Sequence, residues 1–237
     1  LCALMQAQYA LDDGRRRQEA ALAGDLDPVR PGGVVLRQDG RREHHRVELS
    51  VRELDRVDDW IGGDYNYVGG PGWERGDRNR VVGYRLDEDA GASYVTLYGW
   101  GYDKDMDPAD PAHLVEYYII QRWVRTPAQG GEQGVSFVSN GVEYTTYRTV
   151  RRGKPSINNT ETFYQYWSKP KEQMPLGVDH KIIFADHVKA WEANGWKLPN
   201  LDNFDASDDP TYQVFAVEVF LVEKGGTVSG RVWDAGK

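Results

Sequence analysis

Two glutamates sit where carboxylates are least expected, inside strongly apolar and aromatic runs. Glu116 lies in LVEYYII (114–120) and Glu218 in VFAVEVFLV (214–222). A charged side chain in such a run either faces water or is buried at a substantial energetic cost. If both runs are strands, alternation puts Glu116 on one face with Tyr118, and Glu218 on one face with Tyr212 and Phe220. Carboxylates among aromatic rings on the concave side of a sheet suit cleavage of a glycosidic bond. Rings stack on sugar faces, and two carboxyls supply the acid and the nucleophile. The competing reading is a pair of solvent-facing strand glutamates, common in any sandwich. Other chemistries lack their residues. There is no GxSxG, P-loop or HExxH pattern. Of the five histidines (His44, His45, His113, His180, His187) only the adjacent His44 and His45 are paired, and Cys2 is the only cysteine. An internal disulfide and a thiolate metal cluster are thereby excluded. No metal and no cofactor are expected.

The elements that must hold these residues read as β. From about Val47 onward, short aromatic and β-branched runs are separated by Gly, Asn, Asp and Pro turns. Candidate strands are 65–68, 81–85, 93–100, 114–124, 134–138, 142–150, 162–169 and 211–222. In 114–124, Glu116, Tyr118 and Ile120 share one face, and Val115, Tyr117 and Ile119 the other. One segment has helical spacing: Phe184, Val188 and Trp191 fall at i, i+4 and i+7, with Gly195 as a stop, which predicts a helix over 184–194. Residues 101–113 form a polar, Asp-rich loop without the Gly and terminal Glu of a calcium loop. Trp123, Trp191 and Trp196 read as packing residues.

Composition agrees. The 237 residues are 40% apolar, enough for a substantial core, and Tyr (14) and Trp (8) outnumber Phe (6). Tyr and Trp keep a polar tip and suit a wet, lined groove. A net charge of −8 argues against nucleic acid as a partner. No run approaches the ~18 to 20 apolar residues of a membrane-spanning helix. Residues 1–45 have a different texture. Residues 1–10 read either as the tail of a secretory signal or as an ordinary tail, residues 18–23 as a short helical patch, and Arg41, Arg42, His44, His45 and Arg46 as a solvated basic cluster. The domain reading is therefore an N-terminal segment of unclear structure (1–45) and a catalytic domain (46–237).

Six ordered pieces carry a family resemblance: YNYVGGPGW (65–73), VTLYGW (95–100), VEYYII (115–120), YRTVRRGKPSINNTETFYQYWS (147–168), DHVKAWEANGWKL (186–198) and YQVFAVEVF (212–220). Together the chain resembles the glycoside hydrolase family 11 endo-1,4-β-xylanases. The resemblance implies an all-β, twisted jelly-roll β-sandwich with a single α-helix and a thumb hairpin. It implies a secreted, extracellular, monomeric enzyme that cleaves β-1,4-xylosidic linkages inside xylan or xylo-oligosaccharides by retaining double displacement. Residue by residue, Glu116 matches the nucleophile and Glu218 the general acid/base. Tyr98 and Tyr118 match the cleft tyrosines, Arg151 the arginine near the cleavage point, and Pro155, Ser156 and Ile157 the thumb tip. Gln165 matches the cleft glutamine, with Phe163 and Trp167 on its face. Tyr212 matches a distal-subsite aromatic, and Asn66 the position beside the acid/base, where Asn goes with a neutral or alkaline optimum.

The match departs at four places. Residues 1–45 fit the family poorly, and the stretch before Trp60 lacks its distal tryptophan. The 101–113 loop is longer than usual, Val219 and Phe220 replace Gly-Tyr after the acid/base, and Arg152 and Lys154 make the thumb more basic. Asn158, Asn159 and Thr160 form a glycosylation sequon. Two alternatives stay open: a non-catalytic carbohydrate-binding sandwich, and a β-glucanase of related architecture.

Overall fold

The computed structural model describes residues 2–8, 34–38, 45–51, 66–73, 75–89, 92–201, 211–220 and 226–236. Within them the strands are β1 (Cys2–Gln8), β2 (Val34–Gln38), β3 (His45–Val51), β4 (Asn66–Trp73), β5 (Val81–Asp89), β6 (Tyr94–Tyr102) and β7 (Leu114–Trp123). The remaining strands are β8 (Glu132–Ser139), β9 (Val142–Ser156), β10 (Asn159–Pro170), β11 (Asp179–Ile183), β12 (Gln213–Phe220) and β13 (Gly226–Asp234). The only α-helix among the described residues is α1 (Phe184–Ala193). An eight-stranded sheet runs β1-β4-β12-β6-β7-β10-β9-β8, and a five-stranded sheet runs β11-β5-β13-β3-β2. The expected all-β sandwich is what the chain adopts, with a single α-helix among the described residues.

Alternation builds two apolar layers on the large sheet. Val115, Tyr117 and Ile119 of β7, Leu97 of β6 and Phe215 and Val217 of β12 join Tyr84, Ile182 and Val232 of the small sheet in one core, closed by Phe184, Val188 and Trp191 of α1. The opposite face carries Tyr98, Trp100, Tyr118, Ile120, Phe163, Trp167 and Tyr212, with Ala128 and Ile157 folded over from loops. β7 is thus buried on both sides along most of its length, which is why its sequence is an almost unbroken apolar run.

α1 lies behind β8 and β9. Asn194 Oδ1 accepts from the Val135 amide at 2.8 Å, and its Nδ2 donates to Thr146 Oγ1 at 3.0 Å. The helix ends at Gly195, whose φ of 76° is the left-handed geometry of a helix stop. The Trp196 amide then reaches back to the Trp191 carbonyl at 3.1 Å. The sequence signal for this helix and its end holds to within a residue.

Some expectations need correction. Residues 2–8, read as a tail, form β1 and pair antiparallel with β4 from Cys2↔Gly72 to Gln8↔Asn66. β2 pairs with β3, so the segment before residue 46 contributes a strand to each sheet. β1 carries no local signal, because CALMQAQ lacks β-branched residues and main-chain pairing needs no side-chain pattern. β2 (VVLRQ) does carry two valines, but in a run of only five residues directly behind Pro31, Gly32 and Gly33. β11 and β13 were also missed; the latter carries Gly226 and Gly230, weak strand formers. The patch at 18–23, residues 41–44 of the basic cluster and Trp60 lie outside the described residues. β6 runs on through Gly101 and Tyr102 into the Asp-rich loop. There Asp103, Asp107 and Asp110 each accept a hydrogen bond from the amide two residues on, so the carboxylates serve as turn formers. Among the described residues no group of side chains is arranged to hold a metal.

Candidate active site

β6 lies between β12 and β7, so Glu218 and Glu116 come from the two strands that flank it. In register, Glu116 faces Trp100, and Glu218 faces Tyr94. Both carboxylates are buried, at 4% and 1% exposure, and both line one groove of about 570 Å³. The alternative of solvent-facing strand glutamates is therefore wrong. Alternation sends these positions to the face turned away from the small sheet, and loops and thumb cover that face.

Glu116 is held by three donors. Its Oε1 accepts from the Tyr98 hydroxyl at 2.7 Å and the Tyr118 hydroxyl at 3.0 Å, and its Oε2 accepts from Gln165 Nε2 at 2.6 Å. The register explains the convergence: Gln165 of β10 pairs with Glu116 in a parallel ladder, and Tyr98 pairs with Tyr118. Burial pushes the Glu116 carboxyl above the ordinary carboxylate range, while the three hydrogen bonds and the Arg151 charge pull it back. Burial, followed by the Glu116 charge, also holds the Tyr98 and Tyr118 phenols well above their ordinary range. Both therefore stay protonated and donate. Near Glu218, the Tyr94 phenol is pushed up to about 12 by burial and the Glu218 charge, with Arg125 opposing.

Of the residues singled out in the sequence, Glu116, Glu218, Tyr118, Arg151, Pro155, Gln165 and Trp167 line the groove, as does Phe163. The Trp167 ring stacks on Tyr118 at 4.0 Å and 9°. Tyr98 and Tyr212 are not among the lining residues, and of Asn66 only the backbone is among the described parts of the chain. Tyr98 is buried, and Tyr212 packs beyond it with ring centroids 6.0 Å apart. Asn66 pairs with Phe220, and the residue directly opposite Glu218 on β4 is Val68. The thumb is the β9–β10 hairpin, with its turn at residues 157–158 and Ile157 tucked against the groove-side cluster. Trp191 and Trp196 are in the core as expected, and Trp123 packs at the edge of the groove-side cluster under Lys169.

Several lining residues escaped sequence reasoning: Tyr94, Arg125, Thr126, Gln129 and Thr149. A signal existed for two of them. Tyr94 lies four residues before Tyr98 on the same strand, and Thr149 lies two before Arg151. The others come from the loop between β7 and β8, whose path no local pattern announces.

This arrangement can be set against known proteins. A family model for glycosyl hydrolases family 11 matches residues 57–229. The chain belongs to that family. Among its relatives, endo-1,4-beta-xylanase 3 of Pyricularia oryzae is 34% identical over 155 residues, which is 65% of this chain and 57% of that protein. Endo-1,4-beta-xylanase Xyn11B of Cellvibrio japonicus is 33% identical over 174 residues, covering 70% of this chain and 46% of the relative. The chain thus spans about half the length of these relatives. A solved structure, from a comparison of two major endo-1,4-beta-xylanases of Trichoderma reesei, superposes with a TM-score of 0.59 at 25% identity, covering 85% of this chain and 94% of that one. The family 11 sandwich, its helix and its thumb are therefore the frame in which the two glutamates stand.

Proposed function

We propose that the chain is an endo-acting β-1,4-xylanase that works by retaining double displacement. The observation that carries this reading is a buried carboxylate, Glu116, held by three hydrogen-bond donors in a groove that a second buried carboxylate also lines. Three donors equip Glu116 to be ionised, and Glu218 can then hold the proton that the pair shares, which is the asymmetry a retaining pair needs. Glu218 donates that proton to the departing glycosidic oxygen as Glu116 attacks the anomeric carbon and forms a glycosyl ester. Glu218, now ionised, takes a proton from water, which opens the ester and restores both groups. Tyr118, Trp167, Arg151 and Pro155 hold the sugar chain, Gln165 and Tyr98 orient Glu116, and Tyr212 and Asn66 serve the flanking positions. The groove takes its lining from β6, β7, β9, β10 and β12, so it runs across several strands, which suits internal cleavage of a polymer. The same reading makes the protein a secreted monomer acting where its polymer lies. Among the described residues no helix is long and apolar enough to cross a membrane.

The test is incubation with neutral linear xylan and with carboxymethyl cellulose. The reading expects a fast fall in viscosity for few new reducing ends on xylan, first products of β configuration by proton NMR, and little on the cellulose derivative. First products of α configuration would replace retention by inversion. Cleavage of the cellulose derivative alone would favour the glucanase reading, and binding without cleavage the carbohydrate-binding one.

A further inference from the structure

Thr149 of β9 stands directly across from Gln165 of β10. Its hydroxyl makes two hydrogen bonds, with Trp167 Nε1 at 3.0 Å and with Gln165 Oε1 at 2.9 Å. Chemistry fixes their directions. An indole nitrogen only donates, so Thr149 Oγ1 accepts from Trp167. A carboxamide oxygen only accepts, so the single hydroxyl proton goes to Gln165 Oε1. An amide whose oxygen is held on one side presents its NH2 on the other, and there Gln165 Nε2 meets Glu116 Oε2 at 2.6 Å. The circuit closes on itself: Trp167 stacks on Tyr118, and Tyr118 donates to the other oxygen of the same carboxylate.

We infer that Thr149 is a positioning residue for the proposed nucleophile, acting through Gln165 to keep an N–H aimed at Glu116, with Trp167 setting the sense of its hydroxyl. The inference deepens the xylanase reading and rests on it for its kinetic consequence. Without the hydroxyl, the Gln165 oxygen and the Trp167 N–H both lose a partner in a part-buried site, and the amide is free to turn. A turned amide offers Glu116 its oxygen in place of an N–H, and the ionised carboxylate loses a donor. Glu116 is faced by Tyr98 from β6, Tyr118 on its own strand, Gln165 from β10 and Arg151 from β9, with Glu218 of β12 on the same groove. Thr149 variants leave all of these groups in place and act on Glu116 only through the Gln165 amide and the Trp167 ring.

The experiment compares Thr149→Val with Thr149→Ser in the full chain. Two readouts are used: the pH profile of kcat/KM on xylan, and the carbon-13 titration of the Glu116 carboxyl, assigned by its loss in Glu116→Gln. Thr149→Val is expected to lower kcat/KM roughly tenfold at neutral pH, the scale of one hydrogen bond to a charged group, and to raise both the acid limb and the Glu116 titration. Thr149→Ser is expected to restore both. Should the valine variant fail to fold, the Thr149→Ala and Thr149→Ser pair makes the same comparison. An acid limb and titration in Thr149→Val that overlay the wild type, or a serine variant as impaired as the valine one, would overturn the inference. If the wild-type chain does not cleave xylan, the proposed function fails on its own, while the carboxyl titration still decides whether Thr149 acts on Glu116.

Discussion

Tyr98 and Glu116 are joined by a hydrogen bond of 2.7 Å between neighbouring strands, and the phenol oxygen that donates it accepts in turn from Trp100 Nε1 at 2.9 Å. The indole takes one lone pair of the phenol and leaves its proton to the carboxylate. That bond favours the ionised form of Glu116, against the burial that disfavours it. Tyr98→Phe keeps the ring and deletes the donor. The expected outcome is a fall in kcat/KM on xylan of about 10- to 100-fold, the loss of one hydrogen bond to a charged group, with the acid limb moved to higher pH. The direction follows because the carboxyl then sheds its proton less readily. A pH profile with an unmoved acid limb would take the phenol out of the account.

The division of labour between the two glutamates is testable by leaving group. An aryl xylobioside with a highly acidic phenol needs no proton to depart. Glu218→Ala is expected to lose about 100- to 10,000-fold on xylan, the usual size of general acid–base assistance, and far less on the aryl substrate. Glu116→Gln is expected to lose activity on both, because the covalent step itself is gone. Steady-state rates on the two substrates are sufficient. The opposite pattern would exchange the two roles.

The strands of the large sheet were legible where each side of the strand has a distinct job. VEYYII alternates between a core between sheets and a groove-side cluster, so Glu116 and Tyr118 could be placed on one face from their spacing alone. The same holds for Glu218 and for the spacing of Phe184, Val188 and Trp191. Contacts between strands distant in sequence were not legible. Nothing local in CALMQAQ says that it pairs with β4, and nothing in residues 124–131 says that Ala128 and Gln129 reach the groove. Thr149 is the instructive miss. A threonine in a thumb strand looks like any β-former, and only the register that sets it opposite Gln165 gives its hydroxyl a task.

Gly99 separates Tyr98 from Trp100 and points to the other face of β6. A Cβ there would stand 2.3 Å from Tyr117 Oη and 2.4 Å from the Tyr212 carbonyl oxygen. Tyr117 is fully buried and the carbonyl is backbone, so neither can swing aside at low cost. Gly99→Ala is therefore expected to destabilise the fold by about 1–3 kcal/mol, the usual range for overpacking a core. It is also expected to disturb Tyr98, its chain neighbour. Urea unfolding measures the first effect, and the pH profile of any residual activity the second. A variant as stable as the wild type would mean that β6 can shift away from β12 without loss.

His187 of α1 is fully buried among Phe137, Tyr144 and Trp191, with ring centroids 5.1, 4.7 and 6.3 Å away. Neither ring nitrogen has a hydrogen-bond partner among the described residues. Burial lowers its pKa from 6.5 to about 3, so the folded chain keeps a neutral imidazole while the unfolded chain takes up a proton below about pH 6.5. Stability is unaffected by this residue above that range and is lost progressively as pH falls toward 3. Between pH 7 and pH 4 the loss is about 3 kcal/mol, from 1.36 kcal/mol per pH unit. Glu116 works in the opposite sense, since a carboxyl whose folded pKa is raised favours the folded state as acid protonates it. Other carboxylates contribute to acid unfolding as well, so the decisive quantity is a difference between proteins. Urea unfolding of the wild type and of His187→Leu across about pH 4–8 is expected to show the leucine variant losing less stability toward acid. Equal slopes would mean that the imidazole is protonated in place, with a partner for its charge inside the aromatic cluster.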